Sequence, residues 1–280
     1  MMNKISIGQA WSYATSFFAG QGANHAIALI GVGIFLPLIL QFALGGGAMM
    51  TDPMSFVSGG GVAAMGGLMM LTSLVNYILQ TGSYFASWRI GLSNGSEPLG
   101  SALTFGVIAA LPALLLGIVV VLVLVLIGFV MFGSALAPMM MGGQPSAAGG
   151  GLMLLLMLLF FLFVIWLGAR FCCTGPVMAD QRTYNVLTGL GESWRMTAAS
   201  QWKIFAYFLL IGVALVVLLM ILGMIVGVSM FAGGTPGAGS IIGIVIGAML
   251  LSIPMAYLQV GVPAGIYRAL GGRSQADVFA

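Results

Sequence analysis

Five acids, one histidine and two cysteines are all that this 280-residue chain offers for acid–base, metal or nucleophilic chemistry. The acids are Asp52, Glu97, Asp180, Glu192 and Asp277, and none forms a close-spaced pair. Hydrolase and transferase sites generally need paired carboxylates, a nucleophile with a histidine base, or metal ligands. His25 stands at the mouth of an apolar run and reads as an interfacial residue rather than a base or ligand. Cys172 and Cys173 are adjacent, cannot staple distant segments, and read as small apolar helix residues. No Ser-His-Asp set, zinc set or phosphate-binding glycine loop can be assembled. Met139-Met140-Met141 and Met49-Met50 with Met54 have thioethers that suit Cu(I), but those stretches lack His and Cys. Methionine is also abundant throughout (21 residues) and fills apolar space. The expectation is a chain without catalytic residues, metal or cofactor. The polar groups that stand out instead are Asn76, Gln80 and Gln259, which read first as hydrogen bonds between helices and second as the lining of a cavity.

These residues must be positioned by a membrane architecture. Hydrophobic residues make up 61% of the chain, charged ones 5%, and the mean hydropathy is +1.16. Several runs of eighteen or more residues carry no charge, the signature of transmembrane helices. The runs do not alternate polar and apolar, which excludes a β-barrel. A net charge of +3, scattered without a cluster, excludes nucleic-acid binding. The fold expected is an all-α, polytopic integral membrane domain over 1–280. Its six spans lie near Ala26–Leu44 (kinked at Pro37), Val62–Gln80, Leu103–Phe132, Leu152–Gly168, Ile204–Phe231 and Ile241–Leu258. The second continues through Trp88 and Arg89 toward the headgroups, a Gly-Ala-Met-Pro loop fills 133–151, and Arg170 sits near enough to its span end to snorkel. Asn94-Gly95 turns the chain, and Ser96-Glu97-Pro98 starts a helix. Gly243 and Gly247, at GxxxG spacing, favour close helix contacts.

Two polar stretches read as interfacial helices. Leu187, Leu190, Trp194, Ala198 and Trp202 recur every three or four residues, with Thr188, Glu192, Arg195 and Lys203 elsewhere around the helix. Ile7, Trp11, Ala14 and Phe18 form a similar stripe. Glu192 and Arg195 can pair, a contact worth a few tenths of a kcal/mol. Trp11, Trp88, Trp194, Trp202 and Tyr267 are the expected interfacial anchors.

Short signatures recur. Ile7-Gly8-Gln9-Ala10-Trp11, Leu99-Gly100-Ser101-Ala102-Leu103 and Leu190-Gly191-Glu192-Ser193-Trp194 open three units. Leu79-Gln80-Thr81-Gly82 before Trp88-Arg89, and Leu258-Gln259-Val260-Gly261 before Tyr267-Arg268, close the first and third. In the middle unit only Gly175 and Arg182 keep register. Three parallel repeats follow, about 5–92, 97–184 and 187–273, each an interfacial helix plus a transmembrane hairpin. Lys4, Arg89, Arg170, Arg182, Arg195, Lys203, Arg268 and Arg273 then share the side of the N-terminus. By the positive-inside rule that side, with both termini, is cytoplasmic.

The stretch LGESWRMTAASQWKIF, preceded by ARFCCTGPVMADQ and followed by IYRALGG near the C-terminus, resembles the bacterial membrane domain found in glycerophosphoryl diester phosphodiesterases. It is also similar to the broader YciC-like group of six-span proteins. The resemblance implies the topology. Catalysis in the family's full-length enzymes belongs to a separate soluble domain using histidines, acids and a divalent metal, so no catalytic residue transfers to this chain. The function expected is a non-catalytic scaffold or accessory subunit of a bacterial inner-membrane complex, with membrane lipids and a membrane protein as partners. The alternative is a lipid- or small-molecule-handling protein with a cavity between its hairpins.

Overall fold

A computed structural model describes residues 6–46, 62–93, 96–140, 147–232 and 238–272. The chain is all-helical, with no strand among the described residues. Short α1 (Ile7–Ser16) leads through a turn to α2 (Gly22–Ala26), a π-helical stretch (Ile27–Phe35), α3 (Leu36–Gln41) and a second π-helical turn (Phe42–Gly46). Then come α4 (Val62–Leu92), α5 (Leu99–Met140), α6 (Ala147–Phe171), α7 (Thr174–Gln181), α8 (Val186–Thr197), a 3-10 turn (Ala198–Ser200), α9 (Gln201–Ala232) and α10 (Ala238–Ala269). Among the described residues four stretches, Gly22–Leu44, Leu99–Val130, Met153–Gln181 and Val186–Leu218, are long and apolar enough to cross a membrane. Asn185 caps α8, its side chain accepting from the Leu187 and Thr188 amides.

Several boundaries differ from those read in the sequence. The expected loop over 133–151 is mostly helix, since α5 runs to Met140 and α6 starts at Ala147. Where every backbone group must be satisfied internally, a few glycines and a proline are weak helix breakers. The kink expected at Pro37 is instead a change of winding, π-helical before and after the α-turns that Pro37 opens. Asp52, Met49, Met50, Met54, Met141, the turn at Asn94-Gly95, Lys4, Arg273 and Asp277 lie outside the described residues.

Contacts between the long helices close a circuit. The first helical stretch lies against α4, α4 against α5, α5 against α6, α6 against α9, α9 against α10, and α10 against the first stretch again. Three seams of small residues draw the helices together. Gly82 and Ala86 of α4 meet Gly106 of α5 backbone to backbone, so a Cβ at Gly106 would run into the Gly82 carbonyl. Gly261 and Gly265 of α10 receive Ala10 and Ala14 of α1, and a Cβ at Gly265 would strike the Ala10 carbonyl. Gly189 of α8 lies on Thr174 and Met178 of α7, and Ser193 bonds to the Cys173 amide next to it. Small residues four apart permit this close approach. Gly261 and Gly265 supply such a pair, whereas a Cβ at Gly247 would meet open space.

Gly106→Ala is expected to cost about 1–3 kcal/mol by overpacking. Gly100→Ala, which meets open space, should leave the thermal midpoint in detergent unchanged. Equal midpoints for both would contradict the seam.

The amphipathic helices are turned the other way from those of soluble proteins. On α8 the face toward the protein is Val186, Gly189, Ser193 and Thr197, while Leu187 and Trp194 point outward at 71% and 41% exposure, as does Trp202 at the start of α9 at 67%. On α1 the buried positions are Ala10 and Ala14, with Ile7 and Trp11 exposed. Lining the outside with large apolar side chains is favourable only against an apolar surrounding.

Candidate ligand chamber and the charged end

Three helices leave a chamber between them. It measures about 390 Å³ and is lined by Leu29, Gly33, Ile34, Pro37, Leu38 and Gln41 from the first helical stretch and by Gln80 and Tyr84 from α4. Leu251, Ser252, Met255, Ala256 and Gln259 of α10 complete it. The π-helical turn places Leu29, Gly33 and Ile34 on this wall, and Gly33 lets the stretch approach Ser83 of α4 closely. Gln80 and Gln259 each stand nine residues before an arginine, Arg89 and Arg268. At helical rise that sets both amides about 13 Å from the charged end.

The chamber's polar groups are three amides, Gln41, Gln80 and Gln259, with the Ser252 and Tyr84 hydroxyls. None is ionisable near neutral pH. Amides and hydroxyls both donate and accept, so they match a neutral hydrogen-bonding group better than an ion. Met255 and Gln259 also border a second groove, about 260 Å³, formed by Phe208, Ile211, Gly212 and Leu215 of α9 with Leu258, Val262 and Pro263 of α10. That groove is apolar apart from Gln259. Met255 and Gln259 of α10 thus border both spaces.

Of the three polar residues singled out in the sequence, Gln80 and Gln259 come together here and Asn76 does not. The Asn76 Oδ1 is buried without a hydrogen-bond partner among the described residues, away from the chamber. Gln41 and Ser252 were missed, because neither sits in a recurring motif.

One end of the molecule is held by charge. Arg89 is 1% exposed, its Nη2 donating to Glu97 Oε2 at 2.8 Å and its Nη1 to the Ala179 carbonyl at 2.8 Å. Arg182, in a left-handed backbone conformation after α7, donates to the same carboxylate oxygen. Ser101 donates to Glu97 Oε1 at 2.5 Å. Burial pushes the Glu97 carboxyl up. The hydrogen bond from Ser101, then the bond and charge of Arg89 and the charge of Arg182, outweigh that and hold it below the usual carboxylate range. Around this knot Trp88 Nε1 donates to the Val260 carbonyl (2.9 Å), Tyr267 to Asp180 (2.6 Å), and Arg268 to the Gly91 carbonyl (2.9 Å).

Several sequence expectations are corrected at this end. Trp88 is half-buried and Tyr267 is 4% exposed, so both join helices and neither is a surface anchor. The second helix does continue through Trp88 and Arg89, but the Arg89 side chain is buried in the protein. Arg170 does not snorkel; it is buried beneath Trp194. His25 is fully buried between Phe17 and Phe18, with Nδ1 2.6 Å from Ser87 Oγ, rather than interfacial. That serine–histidine pair is sealed, since Ser87 is also 0% exposed. Trp11, Trp194 and Trp202 are exposed; Arg195 pairs with Glu192 at 2.7 Å on the surface, and Lys203 is exposed nearby. Among the described residues no three His, Cys, Asp or Glu side chains gather as metal ligands would. Compared with family models, curated proteins and solved structures, the chain matches none of them.

Proposed function

We propose that this protein is a six-span integral protein of the bacterial cytoplasmic membrane that binds a neutral amphiphile, a lipid or lipid-like small molecule, between its hairpins. The observation that carries the reading is the chamber lined by Gln41, Gln80 and Gln259, which shares Met255 and Gln259 with the neighbouring apolar α9/α10 groove. Its volume falls in the range of ligand pockets. The amides hydrogen-bond a polar head, and inside a low-dielectric bundle such bonds orient a ligand strongly. The groove beside Phe208 and Leu215 accommodates its tail.

Six spans are favoured because α4 and α10, 31 and 32 residues long, are each long enough to cross a bilayer. The three-unit reading is supported by the seams. Gly82, Gly175 and Gly261 each precede an arginine by seven residues. Each unit's closing helix packs on the opening helix of the next: α4 on α5, α7 on α8, and α10 back on α1. Three parallel units set around an axis would have this pattern, and the resemblance to the six-span family supports the six-span topology alone. The arginines at one end make that end cytoplasmic. A scaffold or accessory-subunit role rests on the scarcity of reactive groups and on the outward-facing α1 and α8, and a protein partner remains compatible with a ligand-binding bundle.

The test is intact-mass analysis of the protein released gently from its native membrane. One reproducible neutral lipid-class molecule per chain is the expected result. A bare chain would oppose the reading, and a defined larger assembly with no bound small molecule would favour the scaffold.

A further inference from the structure

Two arginines are buried among the described residues, and only one has an acid. Arg89 is satisfied by Glu97 and the Ala179 carbonyl. Arg170, 3% exposed at the end of α6, has buried Nε and Nη1 atoms with no hydrogen-bond partner among the described residues. Its guanidinium lies 3.9 Å from the centre of the Trp194 ring. Trp166 meets that indole edge-on at 5.8 Å and Phe171 lies 5.4 Å away, so the cation sits in an aromatic frame. The backbone is fixed too, since the Arg170 carbonyl accepts from Ser193 and Thr197 of α8. Glu192, the acid on α8, is engaged by Arg195.

A ring face stabilises a cation but accepts none of its in-plane N–H bonds. A guanidinium withdrawn from water with two of its nitrogens unmatched calls for an anion. At this level of the bundle, beside outward-facing Trp194 and Trp202 and the exposed cations Arg195 and Lys203, the anion a bilayer supplies is the phosphodiester of a lipid headgroup. Arginine's planar fork fits phosphate oxygens. We infer that Arg170, framed by Trp194, Trp166 and Phe171, is a binding site for the phosphate of an anionic phospholipid, which holds α8 against the end of α6. Trp194, whose ring covers the guanidinium, is 41% exposed, so the site lies just beneath the outer surface. The site is independent of the chamber and its neutral ligand.

The full chain is placed in phosphatidylcholine nanodiscs with and without phosphatidylglycerol, and thermal midpoint and retained lipid are measured. Wild type is expected to gain several degrees from phosphatidylglycerol and to retain it at intact mass. Arg170→Gln should lose that gain and retain the lipid about tenfold less, while Arg195→Gln behaves as wild type. Should Arg170→Gln fail to fold, Trp194→Leu, which keeps the arginine and removes its frame, is expected to weaken retention in the same way. A phosphatidylglycerol gain that survives both substitutions would overturn the site. Equal stabilisation by inorganic phosphate in neutral detergent would overturn the lipid assignment, as would a stoichiometric protein held through Arg170. Gln80→Leu/Gln259→Leu should leave the phosphatidylglycerol effect intact, which separates this site from the chamber.

Discussion

Glu97→Gln is expected to destabilise the protein by about 3–5 kcal/mol, because it strands a buried guanidinium. Arg89 is 1% exposed and has no other acidic partner in the contacts that hold it, whereas Arg182 is 56% exposed in its side chain and can be hydrated. The cost therefore comes from Arg89 rather than from the Arg182 contact. Glutamine keeps the shape and one acceptor, so a large effect reports charge. Replacing both partners, Arg89→Met with Glu97→Leu, should recover much of the loss, since no unpaired charge then remains buried. The same carboxylate sets a pH dependence. Its folded pKa is depressed, so the stability it contributes is present above the unfolded value of about 4.3 and is lost as pH falls through the folded value. Stability in detergent should be insensitive to this group from neutrality to about pH 5 and should fall below that. Glu97→Gln should flatten that acid limb. A variant as stable as wild type with an unchanged acid limb would remove Glu97 from the centre of the knot.

Gln80→Leu combined with Gln259→Leu is expected to lower retention of the chamber's ligand about 10- to 100-fold while leaving the thermal midpoint close to wild type. Each amide hydrogen bond contributes roughly 0.5–1.5 kcal/mol, and 1.4 kcal/mol corresponds to a factor of ten. Both glutamines are exposed toward the chamber rather than packed in the core, so leucine of similar bulk disturbs little. Asn76→Leu is the matched control, a polar residue on the same helix outside the chamber. Equal losses for all three substitutions would mean a general effect on the bundle.

The helices were legible because a charge-free run of eighteen residues has few other uses. The continuation of α4 through Trp88 and Arg89 was legible for the same reason. Periodicity also found the stripes on α1 and α8, but it does not say which solvent a stripe meets. Leu187, Trp194 and Trp202 face outward, and the bland positions Gly189, Ser193 and Thr197 make the protein contact. Gln80 and Gln259, each nine residues before an arginine in the sequence, both line the chamber. Gln41 and Ser252 carry no such mark, and the π-helical winding around Gly33 is set by contacts with α4 that lie fifty residues away in sequence. Burial of Arg89, Arg170 and His25 was hidden for a related reason. Each depends on a partner supplied by another element: Glu97, Trp194 and Ser87.

The measurement that bears most directly on the central claim is a side-by-side intact-mass spectrum. Wild type, Gln80→Leu/Gln259→Leu and Arg170→Gln would be released from the native membrane under identical conditions. One neutral lipid-class adduct per chain is expected on wild type and on Arg170→Gln, and its loss on the double glutamine variant. An adduct equally abundant on all three, or absent from wild type, would contradict ligand binding in the chamber.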